Sequence, residues 1–247
     1  MVLSAVRGAL GFLTTLPVGH STAAWEAFAD RPAVMVSVGY VLGGLLTLPL
    51  FLPVPETIAG FGFVLGIAVF AGINNFDGLL DVADGVATHG DPTEARSAMK
   101  DSAIGVGAVL ALGILLLGLF AVGSTLAGGS PRVVSVVVAA EVGAKLGMVG
   151  VLARGTASHE GLGSALSTSA GPWTLPLGVL LALPAAILTV PHPAAAITVA
   201  VGLGTGLVIQ RWARDRLGGI NGDVLGATNE VARLAALLAG VIAWTLW

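Results

Sequence analysis

AIGVGAVLALGILLLGLFAVGSTLA, residues 103–127, runs for 25 positions without a charge or a proline. A helix crossing the ~30 Å hydrocarbon layer needs about 20 predominantly apolar residues, so this stretch reads as a transmembrane span. Six further windows of the same character surround it: 33–52 and 57–73 before it, then 133–152, 173–190, 194–210 and 231–247 after it. Pro49, Pro176 and Pro184 fall inside windows, which a membrane bundle tolerates because neighbouring helices re-satisfy the freed backbone groups. The expectation is an all-α fold: a polytopic transmembrane helix bundle of about seven spans forming one integral-membrane domain over residues 1–247. Residues 2–16 are apolar with Arg7 as the sole charge. They are too short to span and lack an A-x-A cleavage pattern, so they read as a short amphipathic N-terminal helix.

Composition points the same way. Of the 247 residues, 55% are apolar and 10% charged, whereas about a quarter of a soluble domain is charged. That excludes an ordinary soluble globule, and the hydrophobicity excludes disorder. The 36 glycines suit close helix packing in lipid. There is no cysteine, so disulfides, thiolate metal sites and a cysteine nucleophile are absent. A net charge of −3 gives no footprint for nucleic acid. The lipid bilayer is the partner this composition implies, and homo-oligomerisation stays open.

Basic residues set the orientation. With seven crossings, the N-terminal segment and segments 74–102, 153–172 and 211–230 share one side. That side holds eight of the eleven lysines and arginines: Arg7, Arg31, Arg96, Lys100, Arg154, Arg211, Arg214 and Arg216. The other side holds Arg132, while Lys145 and Arg233 lie inside windows. By the positive-inside bias, the long polar segments face the cytoplasm.

The polar residues concentrate in NNFDGLLDVADGVATHGDPTEARSAMKDSAIG, residues 74–105. Asp77, Asp81 and Asp84 stand at i, i+4 and i+7, one face of a helix. Carboxylates that close repel one another and take up protons unless a counter-charge intervenes. A divalent cation resolves the conflict, and hard oxygen donors suit Mg²⁺, Mn²⁺ or Ca²⁺. Asp101 closes the segment and could fold back as a fourth ligand, while Asp91-Pro92 with Glu94 reads as a helix cap. A solvated acidic face is the competing reading. Against it, Phe76, Leu79, Leu80, Val82 and Val86 are apolar, and Gly78 and Gly85 leave room for a phosphate or metal to approach.

The run DGLLDVADG (77–85), with MKDSAIGVGA (99–108), resembles the signature of the cobalamin synthase family, the adenosylcobinamide-GDP ribazoletransferases. FLTTLPV (12–18), HEGLGSAL (159–166) and GGINGDVLGATNE (218–230) resemble its other motifs in the expected order. The chain also departs from the pattern. Asn75 stands where the family commonly has histidine, Thr15 where it has a basic residue, and Asn221 where it has threonine.

The resemblance implies the last joining step of cobalamin assembly. A hydroxyl of α-ribazole, or of its 5′-phosphate, attacks the phosphorus on the corrinoid aminopropanol arm of adenosylcobinamide-GDP, and GMP leaves. Phosphoryl transfer of this kind needs charge neutralisation and in-line positioning. Asp77, Asp81, Asp84 and Asp101 would then be the catalytic set and the ligands of Mg²⁺ or Mn²⁺. Asn75, Lys100, Ser102, Arg154, Glu160, Gly161, Gly163, Asn221, Asp223 and Glu230, which lie in or beside the motifs, would bind substrate. Lys100 equally reads as a lipid-headgroup anchor. Glu141 and Lys145, i and i+4 inside a window, read as a self-neutralising pair between helices. Two other functions stay in play. A CDP-alcohol phosphotransferase would need a D-G-x-x-A-R run, and no arginine follows Asp77-Gly78 at that spacing; an ion-coupled transporter would hold its carboxylates near the bilayer midplane.

Overall fold

The computed structural model describes residues 2–19, 21–88, 92–101, 103–158 and 162–247. Its helices are α1 (Val2–Leu13), α2 (Thr22–Ala29), α3 (Met35–Thr47), α4 (Glu56–Ala71), α5 (Asn74–Ala87), α6 (Pro92–Ala98) and α7 (Val106–Leu126). After these come α8 (Pro131–Val134), α9 (Val136–Arg154), α10 (Leu162–Thr168), α11 (Thr174–Ala186), α12 (Ala194–Leu217) and α13 (Gly222–Leu246). Among the described residues there is no strand, only an isolated parallel bridge between Ala157 and Ile220.

The burial pattern is that of a protein whose solvent is lipid. The most apolar span, Val106–Leu126, is only 28% buried, whereas Pro131–Arg154 is less apolar and 89% buried. An exposed apolar face of this kind on α7 is what a membrane-crossing helix presents to lipid. By contrast, α9 has small residues around its circumference, and α3, α11, α12 and α13 all pack on it. Its closest neighbour is α12: a Cβ on Gly206 would lie 2.3 Å from the Gly147 carbonyl oxygen. Only glycine permits backbones that close.

All seven apolar windows contain a helix, but they are not equivalent. Five segments are long and apolar enough to cross: Pro32–Phe51, Val106–Leu126, Pro131–Arg154, Ala194–Leu217 and Gly222–Leu246. The window at 57–73 yields the 16-residue α4, and the window at 173–190 yields the 13-residue α11. At 1.5 Å per residue these extend only ~24 and ~20 Å. Helix α4 stops because Gly72 takes a positive φ of 73°, and α5 departs at 99° to it. The acidic helix thus follows α4 across a sharp break, and the two together are long and apolar enough to count as a sixth, bent span.

In α11 the interruption is filled by a neighbour. Pro184 brings no N–H, and the Tyr40 hydroxyl of α3 enters the ladder one residue later. It donates to the Leu181 carbonyl (2.7 Å) and accepts the Ala185 N–H (3.1 Å). These two groups would otherwise bond to each other as residues i−4 and i.

The polar segments converge at one end. The Thr15 N–H donates to the Phe70 carbonyl (2.9 Å), tying the N-terminal segment to the α4 exit. The Ile220 N–H reaches the Thr156 carbonyl (2.8 Å), and the Ser158 N–H reaches the Ile220 carbonyl (2.9 Å). Arg96 Nη1 donates to the Leu217 carbonyl (2.9 Å), covering the C-terminus of α12.

Candidate active site at the acidic end of the bundle

Two close approaches build the site. Helix α5 meets the start of α13 at Gly78, where a Cβ would lie 2.7 Å from the Asp223 carbonyl oxygen. Gly226 meets Asn75 in the same way, with a Cβ 3.1 Å from its Cα. Glycine on both helices thus brings Asp223 against the face of α5 that carries Asp77 and Asp81. The start of α13 is fixed by Asn221, whose Oδ1 accepts the Val224 N–H (2.9 Å) as an N-cap. Its Nδ2 donates to Asp223 Oδ2 (3.0 Å), aiming that carboxylate.

Asp81 registers the consequence. Partial burial, then the charges of Asp223, Asp77 and Asp84, raise its carboxyl from an ordinary 3.8 to about 6. Neither the Asp77 nor the Asp81 carboxylate makes a hydrogen bond or ion pair among the described residues. This is a partly buried carboxylate facing three others, and among the described residues no cation relieves it.

Asp84 behaves differently from its two companions. Its Oδ2 accepts the Gly105 N–H (2.8 Å) and its Oδ1 the Ala108 N–H (2.9 Å). Gly105, the N-cap of α7, offers no side-chain cap, so a carboxylate from α5 satisfies the first free donors of α7. Helical spacing groups Asp84 with the cation ligands; the structure commits both of its oxygens to the α7 terminus. Asp101, read as a fourth ligand, is exposed, accepts the Ala103 N–H (3.0 Å), and is not among the charges acting on Asp81.

The other expected residues scatter. Asn75 lies at the α5–α13 contact, partly buried. Lys100 and Arg154 are exposed. Gly163 is where α10 leans on the start of α13, a Cβ there being 2.9 Å from the Asn221 carbonyl carbon. Ser102, Glu160 and Gly161, with Asp91 of the expected cap, lie outside the described residues.

Glu230 is placed away from the site. It is fully buried two turns farther along α13, with Arg233, Asn229, Glu141 and Lys145. Lys145 Nζ donates to Glu141 Oε2 (3.2 Å) and Asn229 Oδ1 (2.7 Å), and Asn229 Nδ2 donates to Glu230 Oε1 (2.9 Å). Arg233 pairs with both Glu141 and Glu230. The Glu141–Lys145 pair is present as expected, inside a larger neutral network joining α9 to α13. Arg233 is the member that sequence reasoning missed. Its signal was an arginine within an apolar window, three residues after Glu230.

Whether a divalent cation suits this end of the bundle turns on donor chemistry. Asp77, Asp81 and Asp223 offer hard anionic oxygens in mutual repulsion, the donor set that Mg²⁺ or Mn²⁺ prefers. Among the described residues no group of three or more His, Asp or Glu already converges on a single point. The fit is therefore one of charge and ligand type.

Residues 5–241 match the family model described as cobalamin-5-phosphate synthase. A protein of Halorubrum lacusprofundi named adenosylcobinamide-GDP ribazoletransferase is 48% identical over 255 aligned residues, covering 99% of each chain. Proteins with the same name from Haloquadratum walsbyi and Deinococcus radiodurans are 42% and 37% identical. They cover 100% and 97% of this chain, and 100% and 86% of their own lengths. No solved structure matches the chain.

Proposed function

The chain belongs to the cobalamin-5-phosphate synthase family, and from that premise we propose that it is an adenosylcobinamide-GDP ribazoletransferase of the cell membrane. It joins α-ribazole, or its 5′-phosphate, to adenosylcobinamide-GDP and releases GMP, the final assembly step of cobalamin. The polar end of the bundle faces the cytoplasm, in keeping with the eight basic residues on that side. The observation that carries the reading is the glycine-mediated contact of α5 with α13, which faces Asp81 with Asp77 and Asp223.

The chemistry asks little of the protein beyond charge control and alignment. A hydroxyl oxygen of the ribazole forms a bond to the phosphorus on the corrinoid arm, and the bond from that phosphorus to the GMP oxygen breaks. GMP departs with the electron pair. Asp77, Asp81 and Asp223 would hold Mg²⁺ or Mn²⁺, which when bound neutralises the diphosphate and the charge developing on the leaving GMP. Without the cation, burial and its acidic neighbours raise the Asp81 carboxyl to about 6, so a cation bound there would displace its proton and relieve the repulsion. Asp84 supports the site indirectly by holding the α7 terminus beside α5. Lys100 and Arg154, exposed at this end, are available to the phosphates.

The test uses the full chain in detergent with both substrates, following GMP and the joined corrinoid. Product should form with Mg²⁺ or Mn²⁺ and stop on chelation. Turnover indifferent to chelator would remove the cation from the reading, and no turnover with either form of ribazole would remove the function.

A further inference from the structure

Between α1, α2 and the first residue of α5 lies a cavity of about 620 Å³ that the acidic cluster does not use. Its size falls within the roughly 300–1,000 Å³ of small-ligand sites. Its walls are tightly set: a Cβ on Gly8 would lie 2.0 Å from the Ala24 carbonyl oxygen, so α1 and α2 touch backbone to backbone. Phe12 and Trp25 both line it, with ring centroids 5.0 Å apart and planes tilted by 52°. Phe28, fully buried, backs them at 5.9 Å and 5.8 Å and holds their orientation.

The polar lining is sparse: Arg7, Ser21, Thr22 and Asn74. Arg7 is anchored by its Nε to the Val18 carbonyl (2.7 Å), and Ser21 Oγ accepts the Ala24 N–H (3.2 Å). Asn74 precedes Asp77 by three residues and Asp81 by seven, on one face of α5. Seven residues of helix advance ~10 Å. That is about the reach of a nucleoside from its base to the far side of its sugar.

The geometry points to this cavity as the ring subsite of the acceptor nucleoside: the benzimidazole ring of ribazole stacks on Phe12 and Trp25, and its ribose extends past Asn74 toward Asp81. The assignment rests on reading the chain as a ribazole transferase. The leaving nucleotide also carries a flat bicyclic base, but guanine brings a carbonyl, a ring N–H and an amino group. Each needs a partner once buried, and a lining dominated by aromatic carbon, alanine and glycine supplies few. A ribosylated benzimidazole has a single ring nitrogen left to satisfy.

Trp25→Ala and Trp25→Phe test this in the full chain. Trp25→Ala should raise KM for ribazole about tenfold or more, in the range of aromatic stacking on a base, with KM for adenosylcobinamide-GDP within twofold of the unchanged chain. Trp25→Phe should recover most of the loss. A rise in KM for adenosylcobinamide-GDP alone would assign the cavity to guanine and overturn the proposal. So would equal rises for both substrates, which mark a structural residue, or no change in either. Direct binding of ribazole, measured by equilibrium dialysis on the unchanged chain and on Trp25→Ala, separates the subsite from the activity. If transfer is absent yet ribazole binds and Trp25→Ala weakens it, the subsite stands without the activity. If the unchanged chain transfers but Trp25→Ala binds ribazole equally well, the subsite falls and the activity stands.

Discussion

Replacing Asp81 by asparagine should stabilise the protein while abolishing its turnover. The Asp81 carboxyl is raised from 3.8 to about 6 by burial and by Asp223, Asp77 and Asp84. The ionised form is therefore disfavoured in the folded chain. Two units correspond to ~3 kcal/mol before screening. Because the side chain is only partly buried, solvent leaves about 1 kcal/mol of that. The sign follows from linkage: with its folded value raised, Asp81 binds its proton more tightly in the folded than in the unfolded chain. Its contribution to stability then falls as pH rises from about 4 through about 6. Asp81→Asn should match the unchanged chain near pH 4 and exceed it above pH 7, by ~2–4 °C in melting temperature for a chain of this size. Thermal unfolding in detergent at several pH values reads this, with the joining assay run on the same preparations. Added Mg²⁺ should raise the melting temperature of the unchanged chain and leave the variant where it was. A variant destabilised at neutral pH, or one with full turnover, would refute the electrostatic reasoning.

Asp84→Ala should act through folding, removing the cap of α7 at about 1–2 kcal/mol, so its melting temperature falls where that of Asp81→Asn rises. Arg233→Met leaves two buried carboxylates with Lys145 alone and should lose about 3–5 kcal/mol, read as loss of folded protein on size-exclusion chromatography in detergent. Gly206→Val sets side-chain carbon against the Gly147 carbonyl, 2.3 Å from where its Cβ would lie, and should lower yield and melting temperature together. A reporter inserted in the 155–158 loop should read cytoplasmic and one at Gly129 external.

The bundle was legible because the apolar windows are long and nearly uncharged, and a helix lies in each one. Their lengths were not, since hydropathy is blind to the backbone: residues 57–73 remain apolar straight through the point where Gly72 turns the chain. The i, i+4, i+7 aspartates were visible as a face. That face divides, though, because Asp84 finds its partners at Gly105 and Ala108, beyond the reach of helical periodicity. Asp223 appeared as a binding residue, but its approach to Asp81 depends on Gly78 and Gly226 lying in register across two helices. Glu230 was misplaced for a related reason. A motif gives its members one sequence context, while α13 carries them successively from the polar end into the buried interior.

The tyrosine spliced into α11 has a mechanical consequence. A peripheral helix with much of its surface against lipid would ordinarily be free to slide or twist on its neighbour, since acyl chains close over any apolar surface the movement uncovers. The Tyr40 oxygen makes that displacement break two bonds at once, and the Leu181 carbonyl and Ala185 N–H must then close on each other to stay paired. Helices α3 and α11 are pinned at that point, so parting them costs both bonds to the Tyr40 oxygen.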